Sequence, residues 1–471
     1  VNLNTKLLID GEWIESPSNE TFAVFNPRTG REITGVSAAS PQEVDLAVKS
    51  SLKAFQNDKL TPFQRAKILY RLSELILENK EELAELESLD TGKPLVDTLK
   101  IDVPEAAECY RYFAGWADKL EGSQIPNSEH YLSYTSLEPV GVVAAIIPWN
   151  FPLIIQAWKI APALAAGCSV VLKPSEFAPL TALKIGELAL RAGLPKGMLN
   201  IINGSGSSVG RMLSEHPLVD KVTFTGSLET GKKIYQAASI NGLRRVSLEL
   251  GGKNSAIVFD DADVNKAVES LFESAFSNAG QSCVATSIIY LQKGIGKDFI
   301  EKLKNKIKSW DVPSTQGPQI NEESRERILK TINDAQKQGV ELLHGGSKLE
   351  GEGFFMQPTL LFHHDLRSEI LDNEVFGPVL SLYVFDEPEE IFCKIDDSPY
   401  ALAISLWSKD LLMLHKLAKR FRIGNVWMNC CTVFSPNLPF GGFKSSGIGR
   451  ELGKDALLNY TECKSVTFST E

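Results

Sequence analysis

The stretch Gly141-Val142-Val143-Ala144-Ala145-Ile146-Ile147-Pro148-Trp149-Asn150-Phe151-Pro152 decides the fold. Its first half is a short unbroken apolar run, the pattern of a strand buried on both faces. Two prolines then bracket Trp149, Asn150 and Phe151 and stiffen the backbone where the strand ends. Ile154, Trp158, Ala161 and Ala165 follow at helical spacing. Ser169 to Leu172, Leu199 to Ile202 and Val222 to Thr225 are further apolar runs, separated by segments that open in turn chemistry. This alternation predicts a parallel sheet with crossover helices, and such open sheets bind ligands at the carboxyl ends of their strands.

Upstream, Asp10-Gly11 between Leu7-Leu8-Ile9 and Trp13-Ile14 predicts a hairpin. Ser40-Pro41-Gln42-Glu43 and Thr61-Pro62-Phe63-Gln64 read as capping boxes with proline at the first helical position, the second opening one long helix toward Asp90. Downstream, a second alternating region spans roughly 254–446. It opens with a strand Ser255 to Phe259 and a helix across Asp263 to Ala279, which puts Cys283 in the loop after Gly280. Tyr460 to Ser469 alternates and predicts a closing strand.

With 471 residues, 43% hydrophobic and 23% charged, the chain is long enough for more than one folded domain. A net charge of -10 and the lack of a Lys/Arg-rich run argue against nucleic acid as a partner. No apolar run reaches the roughly 18 residues of a membrane span, and Val1 to Glu20 lacks a basic segment followed by an apolar one, so no membrane insertion or secretion is expected. Seven cysteines without a C-x-x-C pair suit free thiols in a reducing cytoplasm. The histidines form no metal-ligating pattern, adjacent His363 and His364 pointing to opposite faces of a strand, so no metal site is expected.

Several residues carry chemistry, each with a plainer alternative. Gly204-Ser205-Gly206 with Gly210 is one residue longer than the dinucleotide fingerprint: it contacts a nucleotide or simply turns a strand into a helix. Lys173-Pro174-Ser175-Glu176 offers a donor and an acceptor for ribose hydroxyls, or two solvated charges. Cys283, in Asn278-Ala279-Gly280-Gln281-Ser282-Cys283-Val284, is a nucleophile with room around it or an inert buried thiol. Glu249 ends an otherwise apolar run before Gly251-Gly252, where burial would raise its pKa toward that of a general base and exposure would leave it a plain strand residue. The stiffly held Asn150 amide could donate to an oxyanion or serve the turn.

Taken in order, Pro148-Trp149-Asn150-Phe151-Pro152, Lys173-Pro174-Ser175-Glu176, Phe224-Thr225-Gly226-Ser227, Glu249-Leu250-Gly251-Gly252, Gly280-Gln281-Ser282-Cys283, Glu374-Val375-Phe376-Gly377-Pro378 and Pro439-Phe440-Gly441-Gly442 resemble the NAD(P)-dependent aldehyde dehydrogenase superfamily over the whole chain. The resemblance implies an α/β fold: a Rossmann-like cofactor domain (1–120 and 137–251), an α/β catalytic domain (252–445) and a small β oligomerisation extension (121–136 and 446–471) that builds a homodimer or homotetramer. It implies oxidation of an aldehyde to a carboxylic acid. Cys283 is then the nucleophile, Asn150 the oxyanion donor and Glu249 the base that activates water, with Lys159 near the reaction centre and Glu451 a proton-relay carboxylate.

By the same resemblance Lys173 and Glu176 meet the adenosine ribose, Trp149 and Ser227 the pyrophosphate, and Glu374 and Phe376 the nicotinamide ribose and its packing surface. Ile147, Ser175, Gly206, Gly210, Phe224, Gly226, Leu250 and Gly251 complete the cofactor cleft. Glu176 would repel a 2′-phosphate, which implies NAD over NADP. Phe151, Ile155, Trp158, Ser282, Val284, Phe434 and Phe440 match the substrate tunnel, an apolar lining for an uncharged aliphatic, aromatic or polyene aldehyde. An amino-aldehyde is the runner-up, since aromatic rings attract ammonium groups, and the lack of a tunnel arginine weighs against semialdehydes. Glu249 argues against a coenzyme-A-acylating relative, and the intact trio of Cys283, Glu249 and Asn150 against a non-enzymatic binding protein. Ile288, Ala401 and the Cys430-Cys431 pair depart from the common family pattern.

Overall fold

The computed structural model describes residues 3–57 and 59–471. Eight strands make the first sheet, in the order Glu12–Ile14, Leu7–Ile9, Leu199–Ile201, Ser169–Lys173, Val142–Ile146, Lys221–Thr225, Arg245–Glu249 and Gly447–Ile448. The five from Leu199–Ile201 to Arg245–Glu249 are parallel, and the flanking pairs are antiparallel. Val142–Ile146 is central because both faces are covered. Val143 and Ala145 enter one core with the helix Pro152–Ala166, while Val142, Ala144 and Ile146 enter another with the helix Pro41–Asn57. Alternate residues of one strand thus serve two cores, which is why its sequence shows no polar face. The strand order reverses here, so the segment Pro148 to Phe151 leaves the sheet at its topological switch point.

The second sheet runs Glu341–His344, Thr359–His363, Val379–Phe385, Thr286–Gln292, Asn254–Val258, Ala403–Trp407 and Asn425–Met428, parallel except for the first pair. Only Leu250 to Lys253 separate Arg245–Glu249 of the first sheet from Asn254–Val258 of the second, so the two sheets meet carboxyl end to amino end around Gly251 and Gly252. A third, antiparallel sheet joins Thr461–Ser469, Tyr131–Pro139 and Gln124–Ser128. Gly447–Ile448, expected within the extension, pairs instead with Arg245–Glu249 as the edge strand of the first sheet. Among the described residues no helix is long and apolar enough to cross a membrane.

Two helix expectations need correction. The helix opened by the Thr61 capping box ends at Glu78, and a second one runs Lys80–Thr91. Asn79 separates them because its side-chain amide donates to the Leu75 carbonyl at 2.7 Å while its backbone leaves the helical region. The helix before Cys283 is Val264–Phe276 and ends three residues earlier than expected, because Asn278 and Ala279 take left-handed φ values of 50° and 54°. That reversal carries the chain back to the first sheet.

Candidate active site

Five segments converge where the sheets meet: 148–150, 225–227, 249–251, the Cys283 loop and 374–376. A cavity of about 330 Å³ is lined by Pro148, Trp149, Asn150, Ile155, Thr225, Gly226, Ser227, Glu249, Leu250, Gly251, Cys283, Arg327, Glu374 and Phe376. A larger hollow of about 690 Å³, between Phe55, Arg65, Leu137 and Met198, holds none of the expected residues, so the smaller one is the candidate site.

The Cys283 loop is bonded on every side. The Asn150 side chain donates to the Gln281 carbonyl at 3.0 Å, and the Asn278 side chain returns a bond to the Asn150 carbonyl at 3.1 Å. Gln281 is strapped to 318–320: its amide donates to the Pro318 carbonyl at 3.1 Å and accepts from the Ile320 N–H at 2.9 Å. The Asn254 side chain donates to the Cys283 carbonyl at 2.7 Å and to the Ala285 carbonyl at 3.1 Å. Gly280, at φ +69°, passes so near the next loop that a Cβ would stand 2.2 Å from the Gly377 carbonyl oxygen. The fixed loop aims Cys283 into the cavity, and burial, then the Glu374 and Glu249 carboxylates, push its thiol well above the ordinary range.

Glu249 is buried at the end of its strand, against Gly441 and Arg450, and among the described residues neither carboxyl oxygen has a hydrogen-bond partner. Burial, reinforced by nearby Glu451, holds its pKa well above the usual carboxylate value, while Lys159 and Arg450 pull the other way. Lys159, fully buried, donates to Glu451 Oε1 at 2.6 Å and to Thr223 Oγ1 at 3.1 Å. Glu374 accepts from the Gly252 N–H at 3.2 Å, an approach open only because Gly251 has no Cβ, which would stand 2.1 Å from the carboxyl; burial raises Glu374 to about 7.

Of the expected cofactor residues, Trp149, Gly226, Ser227, Leu250, Gly251, Glu374 and Phe376 line this cavity, Trp149 standing edge-on to Phe376 at 5.5 Å. The others lie beside it along the strand ends. The Ile147 N–H donates to the Lys173 carbonyl, Lys173 pairs with Glu176 at 2.9 Å, and Glu176 accepts from the Gly206 N–H at 3.1 Å. Ser175 accepts from the Phe177 N–H, Phe224 is core, and Gly210 belongs to a wide turn, Gly206–Gly210, that leads into a short helix. Of the tunnel residues, Ile155, Val284 and Phe440 share one apolar cluster with Phe151, Trp158, Phe434 and Cys283 packed against it, with Trp158, Phe434 and Phe440 ring centroids 5.2–6.2 Å apart. Ser282 closes the turn under Cys283, its carbonyl accepting from Ala285.

Asn254, Arg327 and Trp427 are new to the site. Trp427 packs edge-on against Phe434 at 6.1 Å. Asn254 sits two residues past the motif Glu249-Leu250-Gly251-Gly252. Arg327, on a helix of alternating charges, gives no sequence signal.

The geometry has close counterparts among known proteins. A family model described as the aldehyde dehydrogenase family matches residues 13–466. Retinaldehyde dehydrogenase 3 of Homo sapiens is 41% identical over 98% of this chain and 92% of its own length. A mitochondrial aldehyde dehydrogenase of Rattus norvegicus is 42% identical over 98% of this chain and 91% of its own. Among solved structures, an NAD+ complex of aldehyde dehydrogenase from Bacillus cereus superposes with a TM-score of 0.97 at 38% identity, covering 99% of this chain and 97% of that one. A betaine aldehyde dehydrogenase from Staphylococcus aureus in complex with NAD+ gives 0.97 at 38%, covering 100% and 96%. With sequence and fold in agreement over nearly its whole length, the chain belongs to the aldehyde dehydrogenase family.

Proposed function

We propose that the chemistry runs through Cys283, with Asn150 holding the oxyanion and Glu249 activating water. The convergence of the three on one cavity carries this reading. As an aldehyde dehydrogenase the chain is an oxidoreductase that converts an aldehyde to a carboxylic acid with NAD as hydride acceptor. The Cys283 sulfur adds to the aldehyde carbon, and the resulting oxyanion is met by the Asn150 amide, which spends only one of its two N–H groups on Gln281. A donor of this kind is worth about 100- to 1,000-fold in rate. NAD, when bound, supplies the acceptor for the hydride that leaves this carbon. The thioester left on Cys283 is hydrolysed by a water whose proton Glu249 takes, and the Lys159–Glu451 pair beside Glu249 passes it on.

The residues present fit a dinucleotide. Ser227 lines the cavity at the N-terminus of the helix Leu228–Ala237, a setting that favours a pyrophosphate, with Trp149 beside it. Lys173 and Glu176 stand at the next strand end to hold the adenosine ribose, and Glu374 with Phe376 to hold the nicotinamide riboside. The aromatic lining supports an uncharged aliphatic, aromatic or polyene aldehyde. The seven free cysteines support a cytoplasmic location, which recovery in a secreted fraction would contradict. A panel of aldehydes with NAD, read as NADH absorbance, tests the function. The highest kcat/KM should fall to an uncharged aldehyde; a cationic amino-aldehyde in first place contradicts the substrate assignment.

A further inference from the structure

Behind the tunnel wall lies a buried ionic cluster that the chemistry above does not use. Lys93 is 2% exposed, and its ammonium contacts Asp102 Oδ2 at 2.7 Å and Glu87 Oε1 at 3.5 Å. The same ammonium stands 4.0 Å from the centroid of the Phe151 ring. Glu87 Oε1 accepts from the Leu153 N–H at 3.4 Å, and Glu87 Oε2 from the Thr181 hydroxyl at 3.1 Å. One cluster therefore grips the chain on the far side of Asn150 at two points, the side chain of residue 151 and the backbone of residue 153. Burying an ammonium with two carboxylates brings little stability over well-packed apolar residues, so its presence here calls for another reason. A cation over a ring and a carboxylate on a helix's first turn are both directional contacts, suited to holding a position.

We propose that Lys93, held by Asp102 and Glu87, is a positioning residue that fixes Phe151 and through it the Asn150 amide; this rests on the reading of Asn150 as oxyanion donor. Without the ammonium, the two carboxylates repel each other and Phe151 loses the group that it packs on. Asn150 then shifts against Gln281 and meets the oxyanion badly. Misplacement on the ångström scale is enough to cost about 100-fold in rate.

The test is a double-mutant cycle on the full enzyme, with kcat and KM for one aldehyde followed as NADH formation. Lys93→Met should lower kcat about tenfold or more with less than about threefold change in aldehyde KM, and should cost less than about twofold further in an Asn150→Ala background. Lys93→Arg, which keeps a cation on the ring, should restore part of the rate. An equal loss in both backgrounds, or no loss in either, overturns the role of Lys93 while leaving that of Asn150 intact. A full rate in Asn150→Ala alone overturns the Asn150 reading and this one with it. Because Lys93→Met strands two buried carboxylates, the charge-balanced Lys93→Met/Asp102→Asn variant is run through the same cycle, with the same outcomes deciding.

Discussion

Glu249 is a carboxyl enclosed by protein with both oxygens unpartnered among the described residues, and Cys283 a thiol held neutral by the same enclosure. Each is raised in pKa, and each acts in its deprotonated form, so both attack and hydrolysis should quicken as pH rises. We expect kcat to climb as pH rises, without an acid-side optimum. Glu249→Gln should still release a first turnover of NADH on rapid mixing, then turn over about 100- to 10,000-fold more slowly, with the alkaline rise in kcat attributed to Glu249 lost. An unchanged steady-state rate would remove Glu249 from the base role. At this scale the sequence was only half legible. That Glu249 ends an apolar strand could be read from its neighbours, but its lack of a partner depends on Gly441 and Arg450, about 200 residues away along the chain.

Elements were legible where composition and geometry agree. The apolar runs that predicted strands all became strands, since a strand buried on both faces has no other pattern open to it. Helix ends were harder, because Asn79 ends its helix through a side-chain bond and Asn278 and Ala279 turn the chain after theirs with left-handed backbones, neither of which periodicity shows. The loop Ser277 to Cys283 depends on two consecutive left-handed residues and on Gly280, also left-handed and packed on the Gly377 carbonyl. Gly280→Ala adds both backbone strain and a collision. It should destabilise the protein by about 1–3 kcal/mol and lower its thermal midpoint, with activity falling as the Cys283 loop moves. A wild-type midpoint together with full activity would show that the loop does not need this close approach.

Across the whole molecule, the two large sheets meet at Gly251 and Gly252, and the site exists only at that junction. Hence Arg327 and Trp427, contributed from distant elements, were invisible in the sequence, whereas Cys283, Asn150 and Glu249 could be read from their motifs. The third sheet shares no strand with either. Gln124–Ser128 is exposed along its full length, and Ile125, Tyr131, Tyr134 and Phe468 lie in the open. We infer that this surface pairs subunits, so sedimentation should give about two or four times the 51.8 kDa chain mass; a monomer alone would contradict it. All of these scales serve one thiol. The most direct test of the account is therefore NADH formation from an aldehyde and NAD by Cys283→Ala. The account predicts a loss of about 10,000-fold or more, and retention of the wild-type rate would contradict it.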